Sequence, residues 1–114
     1  MTKTELVELL IELEIPISEC TPPDDAMEEE RRLYFWDYVW EDITASNSNY
    51  NTKVTYQVSF VASKPRDSKL LELKKKLNSK GIFPIIQHEY NPEKRRVHSF
   101  FPIEVLENIG ETDE

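Results

Sequence analysis

The chain has 114 residues, a net charge of −8 and 32% charged residues, which is one globular domain's worth of polar-leaning sequence. Two glycines leave little room for glycine-rich phosphate loops. An acidic total also argues against general nucleic-acid binding, which needs clustered Lys and Arg.

The charge is unevenly placed. Residues 1–50 hold 13 acids and 3 bases, whereas residues 51–114 hold 9 acids and 11 bases. Such asymmetry suits copies meeting acidic region to basic region, and it equally suits a solvated acidic loop and a basic helix face. Cys20 is the only cysteine, so no intramolecular disulfide can form, as expected in a reducing compartment. No secretory pattern opens the chain, and no apolar run reaches the ~20 residues of a membrane span. The expectation is a soluble protein, working or assembled in a cytoplasm, with no membrane partner.

In chain order, residues 2–14 predict a helix. Thr2 and Glu5 have capping-box spacing, Leu6, Leu9, Leu10 and Leu13 form one stripe, and Pro16 stops it. Residues 16–32, with adjacent prolines and an acid run, read as a long connection in which EEERR adds at most a helical turn. Residues 33–43 predict a strand rich in aromatic and β-branched residues. Strict alternation puts Tyr34, Trp36, Tyr38 and Trp40 on one face and Leu33, Phe35, Val39 and Ile43 on the other. After the turn chemistry of 44–51, residues 53–63 alternate cleanly, with Val54, Tyr56, Val58, Phe60 and Ala62 facing one way.

Residues 66–80 predict a second helix, with Asp67 as N-cap, Leu70, Leu73 and Leu77 as its buried stripe, and Gly81 as its stop. Residues 82–90 and 96–106 read as two more strands around an NPEKR turn, with Tyr90 opposite Arg96 and His88 opposite His98. Pro84 and Pro102 point to edges or bulges. Residues 107–114 form a polar tail expected to fray. The whole is a single domain, 1–114, of α+β class: an antiparallel or mixed four-stranded sheet with helices packed on it, in the order α-β-β-α-β-β.

Motifs for chemistry are missing from the sequence: no phosphate loop, dinucleotide fingerprint, nucleophile elbow or HExxH. His88 and His98 could share a metal with Glu89 or Glu104, but two histidines do not close a zinc site, and alternation turns Glu89 away from His88. Cys20 sits in an acidic, proline-bounded stretch that would raise rather than lower a thiol pKa. The expectation is no catalytic residue, no metal and no cofactor. Asp24, Asp25, Glu28, Glu29 and Glu30 lack calcium-loop spacing and read as a solvated or partner-facing loop. Trp36, Tyr38 and Trp40 read either as a core face under a helix or as the anchors of a subunit interface. Two short helices cannot bury both apolar faces of that strand, so part of it is expected to meet another chain.

The stretch 38–105 carries a resemblance. Its VWEDI, VTYQVSF, IIQHEY and HSFFPIEV strands and its PRDSKLLELKKKL helix resemble the small tail components encoded in the structural gene clusters of long-tailed bacteriophages and prophages. The element order is similar to the tail terminator, or tail-completion, fold. That resemblance implies a homo-oligomeric ring, typically a hexamer, at the head-proximal end of the tail tube. Its partners would be its own copies, the tail tube protein and head-completion proteins, and its place the virion tail, assembled in the host cytoplasm. A head-side neck adaptor or stopper, or a small host-directed effector that binds a cellular protein, is the alternative role.

Overall fold

The structure is a computed structural model that describes residues 1–20, 31–43 and 50–109. Seven elements follow one another: α1 (Lys3–Ile11), β1 (Ile17–Glu19), β2 (Arg32–Asp42), β3 (Thr52–Ala62), α2 (Ser68–Ser79), β4 (Gln87–Asn91) and β5 (Arg96–Glu107). The α+β class stands, but the sheet has five strands, not four, in the spatial order β1-β2-β3-β5-β4. The added strand is β1, within the stretch 16–32 that the sequence predicts as a connection. It runs parallel to β2, pairing Ile17–Glu19 with Leu33–Phe35, whereas the other three strand pairs are antiparallel. A three-residue strand carries no readable alternation, and only its long-range partner makes it a strand.

Local chemistry sets the helix ends. Thr2 and Glu5 close a capping box on α1, so two donors that the helix leaves open are satisfied. The Asp67 carboxylate accepts from Lys69 N at 2.9 Å and caps α2. Gly81, at φ +81°, ends that helix: its N–H donates to Asn78 O, and the N–H of Ile82 reaches back to Leu77 O. This is a Schellman arrangement, and a side chain at Gly81 would be strained by φ alone.

Both helices cover one face of the sheet. Leu6, Leu9, Leu10 and Leu13 of the α1 region and Leu70, Leu73 and Leu77 of α2 pack on Leu33, Phe35, Tyr56, Phe60, Phe101 and Ile103. Burying each such side chain contributes roughly 1.5–3 kcal/mol, enough for one core to hold a chain this size. Tyr56 lies deep in this layer and donates its hydroxyl to Glu107 Oε2 at 2.7 Å. Burial, and then that bond, push the phenol above its ordinary range. Glu107 to Ile109 fall in the expected polar tail, yet they are tied down. Asn51 N donates to Glu107 O and to Asn108 Oδ1, Ile109 N donates to Asn51 Oδ1, and Ile109 packs against the core.

Three further expectations shift. Residues 82–86 are not strand: Ile82 and Ile86 tuck toward the core while Phe83 and Ile85 point out, and pairing starts only at Gln87. Pro84 denies that stretch a ladder donor. Pro102 stands inside β5, just past the last β4 pair at Phe100, where β5 has no second neighbour strand to bond. The EEERR segment is not a helical turn at its described end. Arg31 Nε donates to both Asp67 oxygens, at 2.7 and 2.8 Å, and Arg32 opens β2.

The β4–β5 hairpin is one residue tighter than the sequence predicts. Asn91, not Tyr90, pairs with Arg96, so Tyr90 faces Val97, Glu89 faces His98 and His88 faces Ser99. Asn91 Oδ1 accepts from the N–H groups of Glu93 and Lys94, and Arg95 takes φ +53°, which makes a four-residue turn. Because side chains alternate with period two, this slip sends the two histidines to opposite faces.

Candidate functional site

One face of the sheet lies under the helices; the other carries no described element. Residues paired across the ladders share a face. Tyr34–Ser59–Phe100, Trp36–Gln57–Pro102 and Arg32–Val61–His98 therefore line up across β2, β3 and β5 on the open side. Rings stack along it. Tyr34 lies 5.7 Å from Trp36 and 6.1 Å from His98, and His98 lies 5.0 Å from Phe100. This layer closes over Ser59 and Val61, which are buried without any helix above them.

The aromatic row expected on one face does not hold together. The register shifts between Asp37 and Val39: Asp37 pairs with Tyr56 and Val39 with Thr55, leaving Tyr38 as the extra residue of a β-bulge. From there the alternation is reversed. Trp36 stays on the open face with Tyr34, Val39 joins it there, and Trp40 turns to the side of Val54. Trp40 lies beyond the reach of the helices and is 61% exposed, and Tyr38 is 52% exposed. Its indole N–H donates to Asp37 Oδ2 at 2.6 Å, which fixes the ring. Neither Trp36, Tyr38 nor Trp40 belongs to the core cluster.

The bare part of β2 also lacks an outer neighbour. β1 ends opposite Phe35, and no described residue pairs with the outer edge of Trp36–Asp42. Beside it, Tyr38, Val39, Phe83, Pro84, Ile85 and Pro102 line a shallow hollow of about 630 Å³. Phe83 and Ile85 are 73% and 77% exposed. These exposed apolar side chains gather around one hollow instead of being scattered singly over the surface.

At the other end of the open face is a cleft of about 670 Å³ between Arg32, Tyr34, Tyr90, Lys94, Arg96 and His98. Burial lowers the Arg32 guanidinium from its ordinary value. Burial also lowers His98, against the pull of Glu89, whose Oε1 is 3.6 Å from Nδ1. His98 Nε2 is buried without a hydrogen-bond partner among the described residues. His88 is elsewhere, within 2.7 Å of Ser99 Oγ. Among the described residues no group of three or more His, Cys, Asp or Glu is placed to hold a metal, and Cys20 is exposed at φ +68°. No helix of the described residues is long and apolar enough to cross a membrane. Asp24, Asp25, Glu28, Glu29 and Glu30 lie outside the described residues.

Sequence reasoning singled out Trp36, Tyr38 and Trp40 but missed Phe83 and Ile85, which it placed in a strand. Pro84 between them was the available signal, because it removes the pairing that would have buried one face.

No family model matches this chain, and no curated protein matches it. Among solved structures it is similar to the sheath/tube terminator, in the extended state, of an extracellular contractile injection system, PVC. The identity is 13% and the TM-score 0.42, over 98% of this chain and 59% of that one, so this chain spans less than two thirds of its neighbour's length. A likeness of that size carries over neither a shared fold nor a shared role.

Proposed function

We propose that this chain is a structural subunit that acts by contact and not by catalysis: a tail terminator or tail-completion protein of a long-tailed phage or prophage. In this reading its copies form a ring, a hexamer by family resemblance, at the head-proximal end of the tail tube. The ring meets tube protein on one side and head-completion proteins on the other. It needs no cofactor, and it is assembled in the bacterial cytoplasm and carried in the virion tail.

The observation that carries this reading is the bare half of β2. A chain with a complete helix-covered core still leaves Tyr38, Val39 and Trp40 exposed on a half-strand with no described outer neighbour, and Phe83 and Ile85 exposed across the hollow from it. Large apolar anchors gathered beside a hollow are what a protein interface uses. The strand and helix segments that resemble phage tail components supply the identity of the partners. Mass photometry and sedimentation velocity over a wide concentration range, alone and with tail tube protein, test it. Ring-sized species, or a ring formed on tube ends, are expected. A strict monomer at the highest concentration that also fails to bind tube protein overturns the proposal.

A further inference from the structure

We infer that the bare half of β2, from Asp37 to Asp42, receives the β4–β5 hairpin tip of a second copy of this chain. The inference rests on the self-association proposed above and names the two surfaces that meet.

The receiving surface is specific in shape and in charge. On the open face Tyr38, Val39, Phe83 and Ile85 surround the hollow, and Trp40 stands exposed on the opposite face of the same bare strand. Trp40 needs nothing from a partner for its N–H, because Asp37 already accepts it at 2.6 Å. The ring is thus held outward at little further entropic loss, as interface anchors are. Asp37 and Asp42 share its face of the strand, and Glu41 lies on the other. Only Glu41 among them has an ion pair with a described residue, to Lys53 at 3.2 Å.

A twofold contact of this patch on itself would set acid against acid. Its complement must therefore lie elsewhere on the molecule, and such a head-to-tail contact closes into a ring or grows into a filament. The hairpin tip supplies that complement. Lys94 and Arg95 are exposed, Arg96 is half-buried, and none of the three has an ion pair among the described residues. Lys69 and Lys76 of α2 are engaged by Glu72 and Glu12; Lys74, Lys75 and Lys80 are exposed without an ion pair among the described residues, but α2 carries no arginine or aromatic side chain to lay on an indole. The Asn91 bonds to Glu93 and Lys94 fix the tip, and an Arg guanidinium is suited to lie flat on the Trp40 indole. Exposed Tyr90 adds a further aromatic surface beside it.

The two surfaces cannot meet within one chain. The bare half of β2 pairs with Thr52–Thr55, at the start of β3, while the hairpin sits beside Val61 and Ala62, at its end. Roughly 30 Å of strand separates them.

The test is a charge swap in the full chain. One variant reverses the edge (Glu41→Lys with Asp42→Lys); the other reverses the tip (Lys94→Glu with Arg95→Asp, the latter because Asp tolerates the positive φ there). Circular dichroism confirms folding, and sedimentation velocity and native mass spectrometry read association. Each variant alone is expected to move the association midpoint at least tenfold to higher concentration, and an equimolar mixture to restore it. Should the edge reversal fail to fold, Glu41→Gln with Asp42→Asn keeps the shape and is expected to weaken assembly less. If both variants assemble like the parent, this contact is wrong while the ring reading stands. If the mixture stays as dissociated as its components, edge and tip do not touch and the inference is overturned. A parent chain that never associates removes the ring reading and this contact together.

Discussion

The two halves of β2 differ more than their sequences do. Leu33 and Phe35 lie under the helices with β1 on one side and β3 on the other, whereas Val39 and Trp40 have β3 alone. Both halves are rich in aromatic and aliphatic residues. What separates them is coverage: the first has neighbours on both edges and a helix layer above, and the second has neither. A large apolar side chain is therefore a core residue or an interface candidate according to what the rest of the chain lays over it.

Phe35→Ala removes a ring packed 5.8 Å from Tyr56 and is expected to cost about 3–5 kcal/mol, read from chemical denaturation. A loss below about 1 kcal/mol would mean that the covered half is no better buried than the bare one.

The next largest effect lies at the N-cap. Asp67→Ala removes the cap of α2 and its ion pair with Arg31, so about 2–3 kcal/mol should be lost; Asp67→Asn, which still caps, should lose less. If the two variants are equally unstable, the Arg31 pair and not the cap holds this corner.

His98 lies on the open face. Burial lowers its folded pKa below the ordinary value of 6.5, so the unfolded chain binds the proton more readily. Stability is full above that value, declines as pH falls from it to the folded pKa, and levels off below. His98→Gln should flatten that decline in a series of denaturation curves. An unchanged slope would assign it to other groups.

Trp40→Ala should move stability by no more than about 0.5 kcal/mol, because the ring covers little of its own chain. A loss as large as that of Phe35→Ala would place Trp40 in the core and erase the distinction between the halves.

Much of this was legible along the chain. Thr2 and Glu5, Asp67 and Gly81 mark helix ends because caps act within a few residues. The Leu70, Leu73 and Leu77 stripe and the alternation of Val54 to Ala62 mark buried faces because period follows backbone geometry. Trp36, Tyr38 and Trp40 stood out as residues of unusual size and density, but whether they formed core or interface stayed open.

Tertiary structure decided the rest, for one physical reason: pairing is a property of two segments. The bulge at Tyr38 exists only against β3, and it alone moved Trp40 to the other face from Trp36. The parallel strand Ile17–Glu19 exists only against β2. The single-residue slip of the β4–β5 hairpin, set by Asn91 and Arg95, is what parted His88 from His98. Sequence alone determined the α+β class, the helices and the residues large enough to anchor a contact. The sheet's long-range registry determined which of those residues the helices cover and which are left exposed.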